Sequence, residues 1–323
     1  MSSWRGAAAR PDPDLTVAHA HGHSHDHGAA AGQPRRLAVV LAITSAVLVA
    51  EVVGAVLTGS LALLADAGHV LTDIAGLVLA LLAARLVARP ADERRTWGFR
   101  RAETLAAAAQ AALLLAVGVY VLVEGIRRLL DPAPVASLGM LVFGVLGLVG
   151  NTVSLLVLAR SRTADLNLRA AFLEVLADAL GSVAVIVAAV VIATTGWLRA
   201  DAIVSLVIAA MIVPRTVALL RDAATVLLES TPAGLDLADV RRHILEVPHV
   251  QDVHDLHASQ IATGLPVLTA HVVVDDACFH DGHLATLLDA LQDCVAEHFP
   301  VSVGHSTFQF EQAGHVGHES THH

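Results

Sequence analysis

The chain has 323 residues, of which 55% are apolar and only 15% charged, against roughly 25% charged in an ordinary soluble domain. Its formal net charge is −10, so it carries no electrostatic footprint of a nucleic-acid-binding protein. The two cysteines, Cys278 and Cys294, are too few for a disulfide framework and lack CxxC spacing.

Residues 1–34 combine Pro, Gly, Asp and His with almost no large apolar side chain, a composition expected to stay disordered. Within this segment His19, His21, His23, His25 and His27 alternate with small or acidic residues. A strip of imidazoles binds metal weakly in many geometries. It would concentrate ions near a transport entrance or serve as a dispensable buffer.

Apolar runs follow at 37–58, 61–87, 105–126, 138–159, 171–195 and 198–220. Each is near or above the ~20 residues that cross a hydrocarbon core as a helix. Backbone groups in lipid must be satisfied internally, so these runs predict helices rather than strands. The membrane domain is expected over 35–222. Only Thr58, Gly59 and Ser60 separate the first two runs, which predicts a tight hairpin. Six spans put both termini on one side. Arg85, Arg89, Arg94, Arg95, Arg100 and Arg101 crowd the second connection, and Arg160, Arg162 and Arg169 occupy the fourth. The opposite side has Arg127, Arg128 and Arg199. Arginine excess marks the cytoplasmic face, so both termini are expected there, in a multi-pass protein of the cell membrane.

From residue 228 the pattern becomes that of a soluble domain. Residues 237–246 read as a helix, and 250–261 and 266–275 as alternating strands around a Thr263-Gly264 turn. Residues 283–298 read as an amphipathic helix and 301–311 as a last strand. The order α-β-β-α-β over 228–312 predicts a small α+β domain with helices on one sheet face. Residues 313–323 form a tail containing His315, His318, His322 and His323.

Two membrane runs carry ionisable pairs. His69 and Asp73 are four residues apart in the second, and Glu174 and Asp178 are four apart in the fifth. Spacing of four puts each pair on one helix face. Facing one another, the pairs would offer one imidazole and three carboxylates, enough for a tetrahedral divalent cation. Such groups are expensive in lipid and function is the usual reason they are tolerated. Interhelical bonding is the competing explanation, and a proton relay would use the same residues. Glu51 and Asn151 read as interhelical bracing or as lining of an aqueous path.

The stretch 60–73, SLALLADAGHVLTD, resembles the cation diffusion facilitator family, in its zinc-exporting branch with HxxxD motifs. GFRRAE at 98–103, LLESTP at 227–232, DLH at 255–257, LTAH at 268–271 and HSTFQFE at 305–311 support the resemblance. It implies six membrane helices, a cytosolic ferredoxin-like domain, a homodimer and exchange of metal for protons. It also implies a cytosolic metal site at His254, His271, Gln309 and Glu311 with His283 nearby, where Zn²⁺ would be a structural ion. His257, Cys278 and His280 are further candidates.

Three departures from the family pattern matter. Glu174 stands where the fifth-span motif normally has His. Ala258 and Ser259 follow the DLH motif without its Trp. Phe99 occupies the His position of a loop metal site, so none is expected there. The expected function is divalent cation efflux, Zn²⁺ first. Selectivity for Co²⁺, Cd²⁺, Mn²⁺ or Fe²⁺ is the alternative, since carboxylates suit harder ions. A membrane metal sensor is a second alternative. An enzyme is not expected: an intramembrane metalloprotease would need HExxH on a membrane helix, and the six apolar runs lack it.

Overall fold

A computed structural model describes residues 32–159 and 166–315. The histidine strip at 19–27 and the tail from 316 lie outside the described residues. Six long helices come first: α1 (Gly32–Thr58), α2 (Leu61–Val87), α3 (Ala102–Leu130), α4 (Ser137–Ala159), α5 (Leu166–Thr195) and α6 (Arg199–Leu227). All six are long and apolar enough to cross a membrane. Helices α3 and α6 run past the apolar stretches expected of them. The extra turns carry Arg127 and Arg128 at the end of α3 and Arg221 and Asp222 in α6, side chains suited to the wet interface.

The α1–α2 hairpin is built as its three residues require. Gly59 takes a left-handed φ of 69°, and its N–H donates to the Ala55 carbonyl (2.9 Å) to end α1. Ser60 caps α2, its hydroxyl accepting from the Leu63 N–H at 3.2 Å. Asp201, in the first turn of α6, adds a cap from another helix. It accepts from Ser60 Oγ (2.6 Å), Leu61 N (2.7 Å) and Ala62 N (3.1 Å). Arg128 completes this knot, donating to the Gly59 carbonyl (2.6 Å) beside the Asp201 carboxylate (3.8 Å). The start of α2 is thereby pinned to α3 and α6.

Helix α3 packs chiefly on α6, α4 on α5 and α1, and α2 lies between the two groups. Away from the C-terminal domain, Ala55, Leu63, Met140 and Val185 pack where α1, α2, α4 and α5 meet. Leu61, Ala65, Val121 and Ala209 join α2 to α3 and α6. Both pairs of ionisable residues therefore sit on helices with packed partners on either side.

The C-terminal domain comprises α7 (Leu237–Leu245), β1 (Val250–Ala262), β2 (Leu265–Val274), α8 (Cys278–Asp281), α9 (His283–Glu297) and β3 (His305–Glu311). The sheet order is β1-β2-β3, with β1 and β2 antiparallel and β2 and β3 parallel. Val240 and Ile244 of α7 and Leu287, Leu291 and Val295 of α9 cover one face, against Val253, Leu268, Ala270 and Val272. Two details depart from the sequence reading. The short α8 was not expected, and Gly282 at φ 84° separates it from α9. The last strand starts at His305 rather than 301, because Val303 folds back to donate to the Val295 carbonyl (3.1 Å) and close α9.

Candidate metal centre

Helix α2 presents His69 and Asp73 on one face as the spacing predicts. His69 Nε2 lies 3.4 Å from Asp73 Oδ2, and both side chains keep about a quarter of their surface exposed. Thr72 donates to the His69 carbonyl at 2.7 Å, which stiffens the turn between them. Helix α5 brings Glu174 and Asp178 to the same place. The Asp73 and Glu174 carboxyls lie within hydrogen-bonding reach of each other. Asp73, Glu174 and Asp178 line one cavity of about 380 Å³. Apart from Thr44 its remaining walls are apolar, from Val40 and Leu41 of α1, Val70 and Leu77 of α2, and Ala171 and Val175 of α5. Ala38 and Ala171 lie within the first two turns of α1 and α5, the ends on the side of the C-terminal domain, so the cavity extends toward that side.

Two buried atoms here have no hydrogen-bond partner, His69 Nδ1 and Asp178 Oδ1. Buried polar atoms without partners are uncommon in folded proteins. Asp178 is only 6% exposed. Three carboxylates thus line this cavity, and His69, paired with Asp73, lines a smaller one next to it.

Sequence reasoning missed Arg215 as a neighbour of this site. Its guanidinium is close enough to act electrostatically on His69, Asp73 and Glu174. The available signal was Pro214 beside it: proline in a helix interior removes one backbone bond, yet α6 continues through it to Leu227. Arg215 is therefore held within α6, inside the run expected at 198–220.

In the C-terminal domain the strand register assembles a second group. His254 pairs with His271 across β1 and β2, and His271 with Gln309 across β2 and β3. Glu311, two residues beyond Gln309, reaches back over this row. Its carboxylate lies 2.9 Å from His271 Nδ1 and 3.2 Å from His254 Nε2, and accepts from Gln309 Nε2 at 2.7 Å. His254, His271 and Glu311 each offer an atom within 4.8 Å of the others. They occupy the sheet face opposite α7 and α9. A β-bulge between His254 and His257, with Asp255 at φ 47°, inserts one extra residue. The bulge turns His257 onto the same face as His254.

His283 is not brought into this group. It begins α9, where its Nδ1 lies 2.7 Å from Asp281 Oδ2 and its ring stacks on His249 at 5.5 Å. His249 in turn lies 3.0 Å from Asp275, which also accepts from Gln251 at 2.6 Å. The Gln251 and His249 bonds hold the Asp275 carboxyl below its ordinary range. Cys278 is buried in the domain core and His280 is exposed. The register of β3 was not readable from composition, and it is what selects Gln309 and Glu311 over their neighbours.

Comparison with known proteins matches this architecture along the chain. Residues 37–228 match the cation efflux transmembrane domain and residues 232–313 the cytoplasmic domain of cation efflux proteins. A metal cation efflux system protein, CzcD, from Cupriavidus metallidurans is 44% identical over 282 residues, covering 87% of this chain and 88% of CzcD. The zinc transporter ZitB of Escherichia coli is 40% identical over 279 residues, covering 86% and 87%. A cadmium, cobalt and zinc/H(+)-K(+) antiporter of Bacillus subtilis is 39% identical over 231 residues, covering 71% and 74%. With both family domains matched in order and relatives of this identity spanning most of its length, the chain belongs to the cation diffusion facilitator family of cation efflux proteins.

Proposed function

We propose that the protein exports a divalent cation, Zn²⁺ first, in exchange for protons. The observation that carries this reading is the meeting of two membrane helices at Asp73, Glu174 and Asp178, which line one cavity, with His69 paired to Asp73 beside it. Metal enters from the side of the C-terminal domain, which is the cytoplasm in this reading, and displaces protons from these groups. Rocking of the helices then exposes the site to the other side. Protons there compete for the same ligands and release the metal, because ligands must be deprotonated to bind. The reading makes the protein a transporter of the cell membrane and not an enzyme.

The names of the relatives favour zinc, with cadmium and cobalt as second substrates. His254, His271, Gln309 and Glu311 would hold a cytosolic Zn²⁺ that reports metal supply, in a chain acting as a homodimer. His283 is not part of that set in this fold. Uptake by proteoliposomes across a panel of divalent ions, with an opposing proton gradient, tests the function. Zn²⁺ accumulation that collapses when the gradient is dissipated is expected. Accumulation indifferent to the gradient would refute exchange.

A further inference from the structure

A second group of polar side chains lies beyond the centre, on the side away from the C-terminal domain. Glu51 is seven residues from the end of α1, and Asp66 is five from the start of α2. Ser182 is eight residues beyond Glu174 on α5, and Asn151 is on α4. Asp66 is only three residues from His69 and Ser182 four from Asp178, so at about 1.5 Å per residue this group begins about 5 Å beyond the centre. Glu51, Asp66, Asn151 and Ser182 are 1%, 4%, 2% and 1% exposed, so all four sit in the interior of the bundle.

Their placement is specific. The Glu51 and Asp66 carboxyls lie within hydrogen-bonding reach of one another. Asn151 Nδ2 donates to Ser182 Oγ at 3.4 Å. Glu51 Oε2 is buried without a hydrogen-bond partner. Two glycines leave the room for this convergence. A Cβ on Gly147 would stand 2.9 Å from Glu51 Oε1 and 3.0 Å from Ser182 Oγ, and one on Gly181 would stand 2.9 Å from Asp66 Oδ1. Among the described residues neither Glu51 nor Asp66 forms an ion pair with arginine or histidine. Two close carboxyls out of water cannot both stay charged alone: they take up a proton or a cation.

We propose that Glu51, Asp66, Asn151 and Ser182 form a second divalent-cation station, between the four-residue centre and the release side. The proposal rests on the transport reading and adds a step to it. Carboxylate, amide and hydroxyl oxygens suit a divalent ion that retains part of its water. Asp66 and Glu51 are close enough to Asp178 for their charges to act on one another. A weaker neighbouring site lets the ion leave the centre in steps, the arrangement by which conduction paths combine binding with release.

The test is the number of Zn²⁺ ions held at saturation by the purified full-length chain and by Glu51→Gln/Asp66→Asn, measured by equilibrium dialysis. The double variant keeps side-chain volume and removes both charges, so one Zn²⁺ fewer per chain is expected. An equal ion count in a folded variant overturns the proposal and leaves the pair to carry protons. If the double variant does not fold, Ser182→Ala decides. It removes one oxygen without changing charge and should weaken the second ion by about tenfold. An unchanged Zn²⁺ titration overturns the station. Wild-type proteoliposomes distinguish the two failures. If they accumulate no Zn²⁺, the transport reading falls. If they do while both variants bind as wild type, only the second station falls.

Discussion

In the proposed transport centre, Glu174 would harden the donor set to one nitrogen and three oxygens. Imidazole favours zinc, and carboxylate tolerates harder ions. Glu174→His should therefore shift preference toward Zn²⁺ over Mn²⁺ by on the order of tenfold in competition uptake. An unchanged ratio would remove Glu174 from the centre. In the C-terminal domain Glu311 is 3% exposed and receives three partners, His254, His271 and Gln309. Glu311→Ala would leave the groups around it without their shared acceptor. A loss of about 1–3 kcal/mol of domain stability is expected, read by chemical denaturation in the absence of metal. The pairs spaced by four were legible in sequence, since helix geometry alone places them on a face. The approach of Arg215 to the site was not, because it depends on how α6 packs against α2.

At the scale of elements, the start of α2 depends on a residue 135 positions or more away in the chain. Asp201 satisfies backbone donors of Leu61 and Ala62 that a helix N-terminus leaves open. Asp201→Ala should lower stability by about 1–2 kcal/mol, seen as a lower Tm in detergent. It should slow transport as well, since His69 and Asp73 ride on α2. A Tm equal to wild type would show that the cap is dispensable. In the small domain, burial pushes the thiols of Cys278 and Cys294 up, helped by Asp281 and Asp275 at Cys278 and by Glu246 at Cys294. Both are buried, so a maleimide at neutral pH should label neither in the folded chain and both after denaturation. The six spans were readable because length and hydropathy suffice to define them. The β3 start and α8 were not, since both depend on how Val303 and Gly282 close neighbouring elements.

Across the whole molecule, α6 leads directly toward the C-terminal domain, and two contacts tie that domain to the membrane helices. Arg101 at the start of α3 donates to Glu229 just past α6 at 2.6 Å. Trp97, in the α2–α3 connection, meets the His305 ring of β3 edge-on at 4.9 Å. The sequence showed two domains through a shift in composition near residue 228, but pairing across them is a tertiary fact that neither segment encodes alone. The central claim is that His69, Asp73, Glu174 and Asp178 carry metal one way and protons the other. It is tested most directly by proton release and uptake in proteoliposomes on addition of Zn²⁺, comparing wild type with Asp178→Ala. The account predicts Zn²⁺-driven proton flux in wild type and its loss in the variant. Undiminished flux in Asp178→Ala would contradict it.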